Sequence, residues 1–406
     1  MAAIVVSNKA LQIGHRLNSQ LPVIAGTFGL QKRDASTNLA TYRRGRGGRS
    51  SFSGTVATVL GASGSLGGYV VNRLGKVGSQ VVLPYRADTS SVDRFRLCGD
   101  LGQILFSKFH LRDDDSLRRA MKYSNVVINL IGRDWETRNF SFYDVHTEGA
   151  RRVARIAKEM GVKKLIHFSS LNASPNPQQI FVKGGSHFLR SKYEGELAVR
   201  EEFPEAVIFR PADMFGPEDR FTITYTNYWR RAHGVIPLWK KGDATIKQPV
   251  FVADVAEGVL QAINDPDVIS KTIEAVGPHR YYLADLVDFF YRALRFRNVP
   301  RYPITPLFQL KARIMGMAPN NPIFNLDKLD KDHVTDVLTD CLTLEDLGVQ
   351  LTRIEDRVIF DLKPFRVNAY YDENLGEFRD PPKPPILHIA IRPSPPTSPP
   401  WSTIYF

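Results

Sequence analysis

Between residues 56 and 85 the chain alternates its chemistry in a way that few folds accommodate. Val56-Ala57-Thr58-Val59-Leu60 is a short, β-branched, apolar run, suited to a strand buried on both faces. Glycines follow at 61, 64 and 67, within Gly61-Ala62-Ser63-Gly64-Ser65-Leu66-Gly67. Leu66, Val70, Val71 and Leu74 then recur at helical spacing, Gly75 and Gly78 close the pattern, and Gln80-Val81-Val82-Leu83-Pro84-Tyr85 is a second apolar strand. Strand, glycine turn, helix and strand over about 30 residues is the setting in which a glycine loop receives the pyrophosphate of a dinucleotide. Gly61 permits the exit from the strand, Gly64 lets backbone approach the phosphates, and Gly67 lets the helix lie close to the sheet. Ser63 belongs to the same loop, and the first helical amides, around Ser65 and Leu66, face the phosphates with the positive end of the helix dipole.

The end of the second strand selects the nucleotide. An acid there, about 20 residues on, accepts from a ribose 2′-hydroxyl and favours NAD. This chain has Tyr85-Arg86, with Arg86 nineteen residues after Gly67. A guanidinium suits a 2′-phosphate, so the expected cofactor is NADPH. Asp88, two residues further on, is the acid that argues the other way.

Two more units repeat the alternation. Residues 102–106 read as a strand and Asp115 to Lys122 as a helix; residues 124–132 are a strand that runs into the turn Leu130-Ile131-Gly132. A helix from about Phe142 to Met160 leads to the strand Lys164 to Ser170, which ends on Ser169-Ser170. The expected fold class is α/β: a Rossmann-type, doubly wound parallel sheet with a smaller mixed C-terminal domain. Right-handed crossovers bring the turns after Leu60, Tyr85, Ile131 and Ser170 to one crevice.

The glycine loop, the Ser169-Ser170 strand end, Ser191-Lys192-x-x-Gly195-Glu196, Phe209-Arg210-Pro211-Ala212-Asp213-Met214-Phe215-Gly216-Pro217 and Val250 to Ala256 together resemble the extended, atypical branch of the short-chain dehydrogenase/reductase superfamily. The resemblance covers residues 54 to about 278. Within that branch, residues 125–138 and Phe215 to Phe221 are similar to the NADPH-binding accessory subunits of mitochondrial respiratory complex I, with a match from about 50 to about 375. The resemblance implies cofactor contacts from Gly61, Ser63, Gly64, Ser65, Leu66, Gly67, Tyr85, Arg86, Leu130, Ile131, Gly132, Ser169, Lys192, Pro211 and Phe215. It also implies partners among the other complex I subunits on the matrix side of the inner membrane.

In active members of the superfamily a Tyr four residues before a Lys is the general acid, and the Lys holds the nicotinamide ribose. Here Lys192 keeps the Lys position, but Phe188 stands four residues before it and has no proton to give. The usual serine position falls on Leu171, with Ser170 beside it. Tyr193 is about 100° round the helix from Lys192; His187 and Asp213 are the other candidate acids, and none has supporting spacing. The expectation is therefore no catalytic residue and no metal: a subunit that holds NADPH structurally and supports assembly or stability of the complex. An active NADPH-dependent reductase or epimerase is the alternative.

Outside this region the chain divides into an N-terminal segment 1–53, the nucleotide domain 54–278, a smaller domain 279–378 and a Pro-rich tail 379–406. Residues 1–53 hold eight Lys or Arg against the single acid Asp34, so most of the net charge of +12 sits there. Residues 1–33 have no acid and place Leu11, Ile13, Leu17 and Leu21 on one helical face, the make-up of a mitochondrial presequence; Tyr42 to Ser51 reads as a flexible basic linker. The remaining charge is ordinary and gives no nucleic-acid partner. Cys98 and Cys341 are too few and too far apart for a disulfide framework or metal cluster. Phe221 to Trp239 is aromatic-rich, and covers either a ligand or the smaller domain's core. Helices are expected over Tyr281 to Phe296, Asp327 to Leu342 and Leu344 to Ile354. Pro303 to Met317 is short, basic and amphipathic; it reads as a core helix, with peripheral contact to inner-membrane lipid as the alternative. The nine prolines of residues 381–400 predict an extended, mobile tail.

Overall fold

The computed structural model describes residues 43–86, 88–227, 234–296, 299–317, 322, 325–367 and 380–388. The presequence expected over 1–33, Tyr228, Trp229 and the tail beyond 388 lie outside them.

Eight strands form one sheet: β1 (Val56–Leu60), β2 (Gln80–Tyr85), β3 (Ile104–Lys108), β4 (Val126–Asn129), β5 (Lys164–Phe168), β6 (Val207–Pro211), β7 (Thr272–Ala275) and β8 (Leu342–Thr343). Their order is β8-β7-β6-β5-β4-β1-β2-β3, and every pairing is parallel. β1 and β4 are buried along their whole length, as a central parallel strand covered on both faces must be. The strand order reverses at β1, whose neighbours are β2 and β4, so a crevice opens at their carboxyl ends.

Helices cover both faces. α1 (Ser65–Lys76) brings Val70 and Leu74 into one apolar cluster with Val255 and Val259 of the later helix Val252–Asn264. On the opposite face, α2 (Asp114–Met121), α3 (Gly149–Glu159) and α4 (His187–Glu202) contribute Leu117, Met121, Val153, Ile156 and Val199 to another cluster. That later helix is α5 (Val252–Asn264). A third cluster joins Phe215, Phe221, Tyr225, Ile236 and Leu238 to α6 (Leu283–Ala293) and α9 (Ile354–Asp361), with α7 (Pro306–Gly316) and α8 (Leu326–His333) between these last two in the chain. Phe221 and Tyr225 of the aromatic stretch are therefore core residues.

The helix read from about Phe142 to Met160 is present over 142–159, with a π turn at Asp144–Glu148 ahead of α3. Other expectations are corrected. The helix expected over Asp327 to Leu342 ends at His333; beyond it Asp336 accepts the Gln248 N–H at 2.9 Å, drawing the chain out along a neighbouring segment. Residues 344–353 form no helix. Asp346 accepts from the Thr343 N–H and hydroxyl, and Gly348 takes φ +76°, closing a turn where a helix was expected. In α7 the buried residues are Phe308 and Ala312, while Leu307, Leu310 and Ile314 are 76%, 53% and 61% exposed, so it is not the core helix that its leucines suggested.

The basic linker is also more ordered than its composition implies. Arg44 and Phe52 exchange backbone hydrogen bonds at 2.9 and 2.8 Å, and Ser53 donates to the Gly78 carbonyl at 3.0 Å. The described start of the tail is extended but docked: Ile386 packs on the third cluster and Leu387 N–H donates to the Arg280 carbonyl at 2.9 Å.

Candidate functional site

The turn from β1 into α1 is built for close approach. Gly61 has φ +78°, and a Cβ there would lie 2.9 Å from the Leu130 carbonyl carbon. A Cβ on Gly67 would lie 2.1 Å from the Ala62 carbonyl oxygen, so only glycine lets α1 sit this close to its own loop. Gly64 is the N-cap residue, and α1 has neither a side-chain cap nor an acid in its first turn; its cations, Arg73 and Lys76, are at the other end. The first-turn amides are thus without a side-chain partner and carry the positive end of the dipole, an arrangement complementary to a pyrophosphate.

Two cavities flank this turn and form one cleft. The first, about 370 Å³, is lined by Gly61, Ser63, Gly64, Tyr85, Arg86, Leu130, Ile131 and Gly132, together with Phe109, Arg133, Trp135 and Phe140. The second, about 350 Å³, is lined by Gly61, Gly64, Ser65, Leu66, Gly67, Leu130, Gly132, Ser169, Lys192 and Pro211, with Phe188 and residues of α8 on its far wall. The fold thus brings together the sequence-named positions with one exception. Phe215 lines neither cavity: it is 0% exposed, and its ring packs 5.4 Å from that of Phe251 in the third cluster. Asp88 lines neither cavity; its carboxylate accepts from the Thr89 N–H at 2.8 Å and caps a short 3-10 turn.

The second cavity sets Lys192 against Phe188. Lys192 is buried and donates to the Phe168 carbonyl at 2.9 Å. Burial pushes its ammonium down to about 8, with Glu196 opposing and Lys331 reinforcing the shift. Phe188 stands edge-on to Phe142 at 6.0 Å and to His146 at 5.2 Å, so the position of the family's phenol is filled by an aromatic wall. Ser169 Oγ is buried, lines the cavity and has no hydrogen-bond partner. A buried hydroxyl without a partner is a group awaiting a ligand or water, and together with the uncapped amides it fits a nicotinamide nucleotide.

His146 was not foreseen. It lies in the π turn, where its Nε2 accepts the Arg133 N–H at 3.1 Å and its Nδ1 pairs with Ser191 Oγ at 2.9 Å. Ser191 in turn donates to the Phe188 carbonyl at 2.9 Å. Burial, then the charge of Lys192, hold this imidazole well below its usual range, so it is neutral, with the proton on Nδ1 and a lone pair for Arg133. π turns recur at functional sites, but a lone His in a polar sequence carries no signal that marks one.

The far wall was not legible either. Asp134 receives Arg220 Nε at 2.8 Å and Lys328 Nζ at 2.9 Å. Burial opposes its ionisation, yet these two cations bring its carboxyl down to about 2. Asp213 lies between Lys247 at 2.9 Å and Lys331 at 3.1 Å; burial would raise it, and both ammoniums outweigh that and hold it well below the carboxylate range. Of the three candidate acids, Asp213 is thus committed to ion pairs, and Tyr193 and His187 line neither cavity. α8 also clamps the start of α4: Asp327 accepts from Ser186 Oγ and the N–H groups of His187 and Phe188, and Asp330 from those of residues 180–182. These partners lie about 30 to 190 residues apart, beyond the reach of any local period, which is why periodicity could not pair them. Among the described residues there is no His, Cys, Asp and Glu grouping able to hold a metal, and both cysteines are free.

With this geometry in hand, comparison with known proteins is informative. Residues 57–277 match the family described as NAD dependent epimerase/dehydratase family. The chain is 47% identical, over 342 residues, to the mitochondrial NADH dehydrogenase (ubiquinone) 1 alpha subcomplex subunit 9 of Mus musculus, covering 83% of this chain and 88% of that one. It is 36% identical, over 360 residues, to the mitochondrial NADH-ubiquinone oxidoreductase 40 kDa subunit of Neurospora crassa, covering 86% and 91%. Among solved structures it is similar in fold to an NADPH-dependent quinone oxidoreductase from Escherichia coli complexed with NADPH. The TM-score is 0.57 and the identity 17%, with 74% of this chain and 98% of that one covered.

Proposed function

We infer a function from the family: the chain belongs to the NAD dependent epimerase/dehydratase family and, within it, to the family of the alpha subcomplex subunit 9 proteins of mitochondrial NADH dehydrogenase (ubiquinone). It is a mitochondrial accessory subunit of the NADH:ubiquinone oxidoreductase, complex I, and its partners are the other subunits of that complex. It sits on the matrix side of the inner membrane, binds NADPH in the cleft between β1 and β4, and holds it without hydride transfer. The division 54–278 for the nucleotide domain and 279–378 for the smaller one belongs to this reading. Its role is to stabilise the fold and the surface that docks into the complex. A ligand that binds only the folded state stabilises it by about 3 kcal/mol at a hundredfold excess over its dissociation constant.

The observation that carries the reading is Phe188. It occupies the acid's place with a ring packed against Phe142 and His146, while the phosphate loop and Lys192 are kept. Peripheral contact with inner-membrane lipid is supported by α7, whose exposed Leu307, Leu310 and Ile314 lie beside Lys311 and Arg313.

One observation favours an active reductase instead. Asp332 lines the second cavity with a buried, unpartnered Oδ2, and burial, opposed by Lys328 and Lys331, pushes its carboxyl up. The two readings separate on a native gel of mitochondrial membranes. Co-migration with complex I, and no carbonyl reduction by the isolated protein with NADPH, is the result expected; a free soluble pool with NADPH-dependent turnover would overturn it.

A further inference from the structure

The charges of the two cavities are not balanced alike. In the second, Lys328 and Arg220 meet Asp134, and Lys331 meets Asp213. The charged residues lining the first are Arg86 and Arg133 alone, with no carboxylate among the described residues there. Neither guanidinium has an ion-pair partner in the described structure; Arg86 faces the Phe140 ring at 5.8 Å and Arg133 the Trp135 indole at 5.3 Å. Burial, then the charge of Arg86, hold Arg133 below the usual arginine range, the condition of a cation that lacks its counter-ion.

The two arginines differ in place. Arg86 follows the last residue of β2 and lines only the first cavity, whereas Arg133 is the one charged residue that lines both. It therefore stands at the junction, which Gly61 and Gly64 of the phosphate loop also line. Its backbone is fixed by the His146–Ser191–Phe188 chain of hydrogen bonds, so its position is set before any ligand arrives.

Resting on the reading that this cleft takes a dinucleotide, we propose that Arg133 is the second cation of the site. It closes over the pyrophosphate opposite the α1 amides, and leaves the 2′-phosphate to Arg86. A guanidinium placed against a phosphate makes charge-assisted, bidentate contacts. Its role differs from that of Arg86 in one measurable respect: it serves every dinucleotide, with or without the 2′-phosphate.

The test is the affinity of the full chain for NADPH and NADH by fluorescence titration, in wild type, Arg133→Gln, Arg133→Lys and Arg86→Gln. Arg133→Gln is expected to weaken both nucleotides by a similar factor, roughly 10- to 100-fold, with Arg133→Lys in between. Arg86→Gln is expected to weaken NADPH selectively. Loss of an uncompensated cation should leave the melting temperature of the nucleotide-free protein unchanged or raised, which separates a binding effect from misfolding. If Arg133→Gln removed only the preference for NADPH, or left both affinities intact while wild type binds, the assignment of Arg133 is wrong and the dinucleotide reading survives. If wild type binds neither nucleotide, the dinucleotide reading itself fails.

Discussion

Replacing Lys192 with Met should stabilise the nucleotide-free protein and weaken NADPH. The Lys192 ammonium is buried, and burial takes its pKa from an ordinary 10.5 to about 8. The unfolded chain then binds more protons between those values, so stability should rise as pH climbs from 8 to 10.5. Below pH 8 the buried charge costs about 3 kcal/mol, at 1.36 kcal/mol per unit. Methionine removes that cost and keeps the stem's packing. It also forfeits the 2.9 Å bond to the Phe168 carbonyl, whose loss costs about 1–2 kcal/mol. The net gain is about 1–2 kcal/mol, a rise in melting temperature of roughly 2–4 °C by size scaling. Scanning fluorimetry at pH 7 and pH 10, with and without NADPH, reads both effects. The gain should shrink at pH 10, and NADPH should protect the variant less than wild type. A variant that melts lower without nucleotide and binds NADPH normally would refute this account, and make Lys192 a structural lysine.

Gly67→Ala should abolish nucleotide binding and lower the melting temperature by several degrees on a thermal ramp, because its Cβ would meet Ala62 O at 2.1 Å; an unchanged variant would mean that the loop does not pack as described. Asp134→Asn removes the ion-pair partner of the buried Lys328, a loss of about 3–5 kcal/mol on urea unfolding. In wild type the Asp134 contribution should be complete above about pH 4 and lost as pH falls through about 2, its folded value. Phe188→Tyr restores a phenol next to Lys192, while the usual serine position remains Leu171; single-turnover assays with NADPH and carbonyl probes should still show no reduction, and turnover there would show that one hydroxyl silences the site. Leu310→Asp on α7, whose side of the helix is exposed, should leave the melting temperature within about 1 °C while reducing flotation with anionic liposomes.

The sheet was legible because its strands are local, apolar and β-branched, and because glycine spacing marks the β1–α1 turn without reference to anything distant. The same local signals put Arg86 and Lys192 at the ends of a strand and within a helix, where they line the cleft. Phe215 misled because it follows Pro211 in one continuous motif, but the chain turns after Asp213 and commits the ring to a different core. α7 misled in the opposite sense: three leucine and isoleucine side chains at helical spacing look like a buried face, yet Phe308 and Ala312 on the other side make the contact with Leu329 of α8. The far wall of the cleft depends on pairs such as Asp134 with Lys328 and Asp327 with Ser186. No periodicity joins residues so distant, and each charge alone reads as a solvated surface group.

The central claim is that this cleft holds NADPH and does not spend it. The most direct measurement is the nucleotide released when gently purified protein is denatured and its supernatant assayed enzymatically for all four nicotinamide nucleotides. About one NADPH per chain, undiminished after incubation with carbonyl probes, is the result predicted here. Protein that carries no nicotinamide nucleotide and shows no saturable binding of added NADPH, or NADPH that is oxidised catalytically once a carbonyl is supplied, would contradict it.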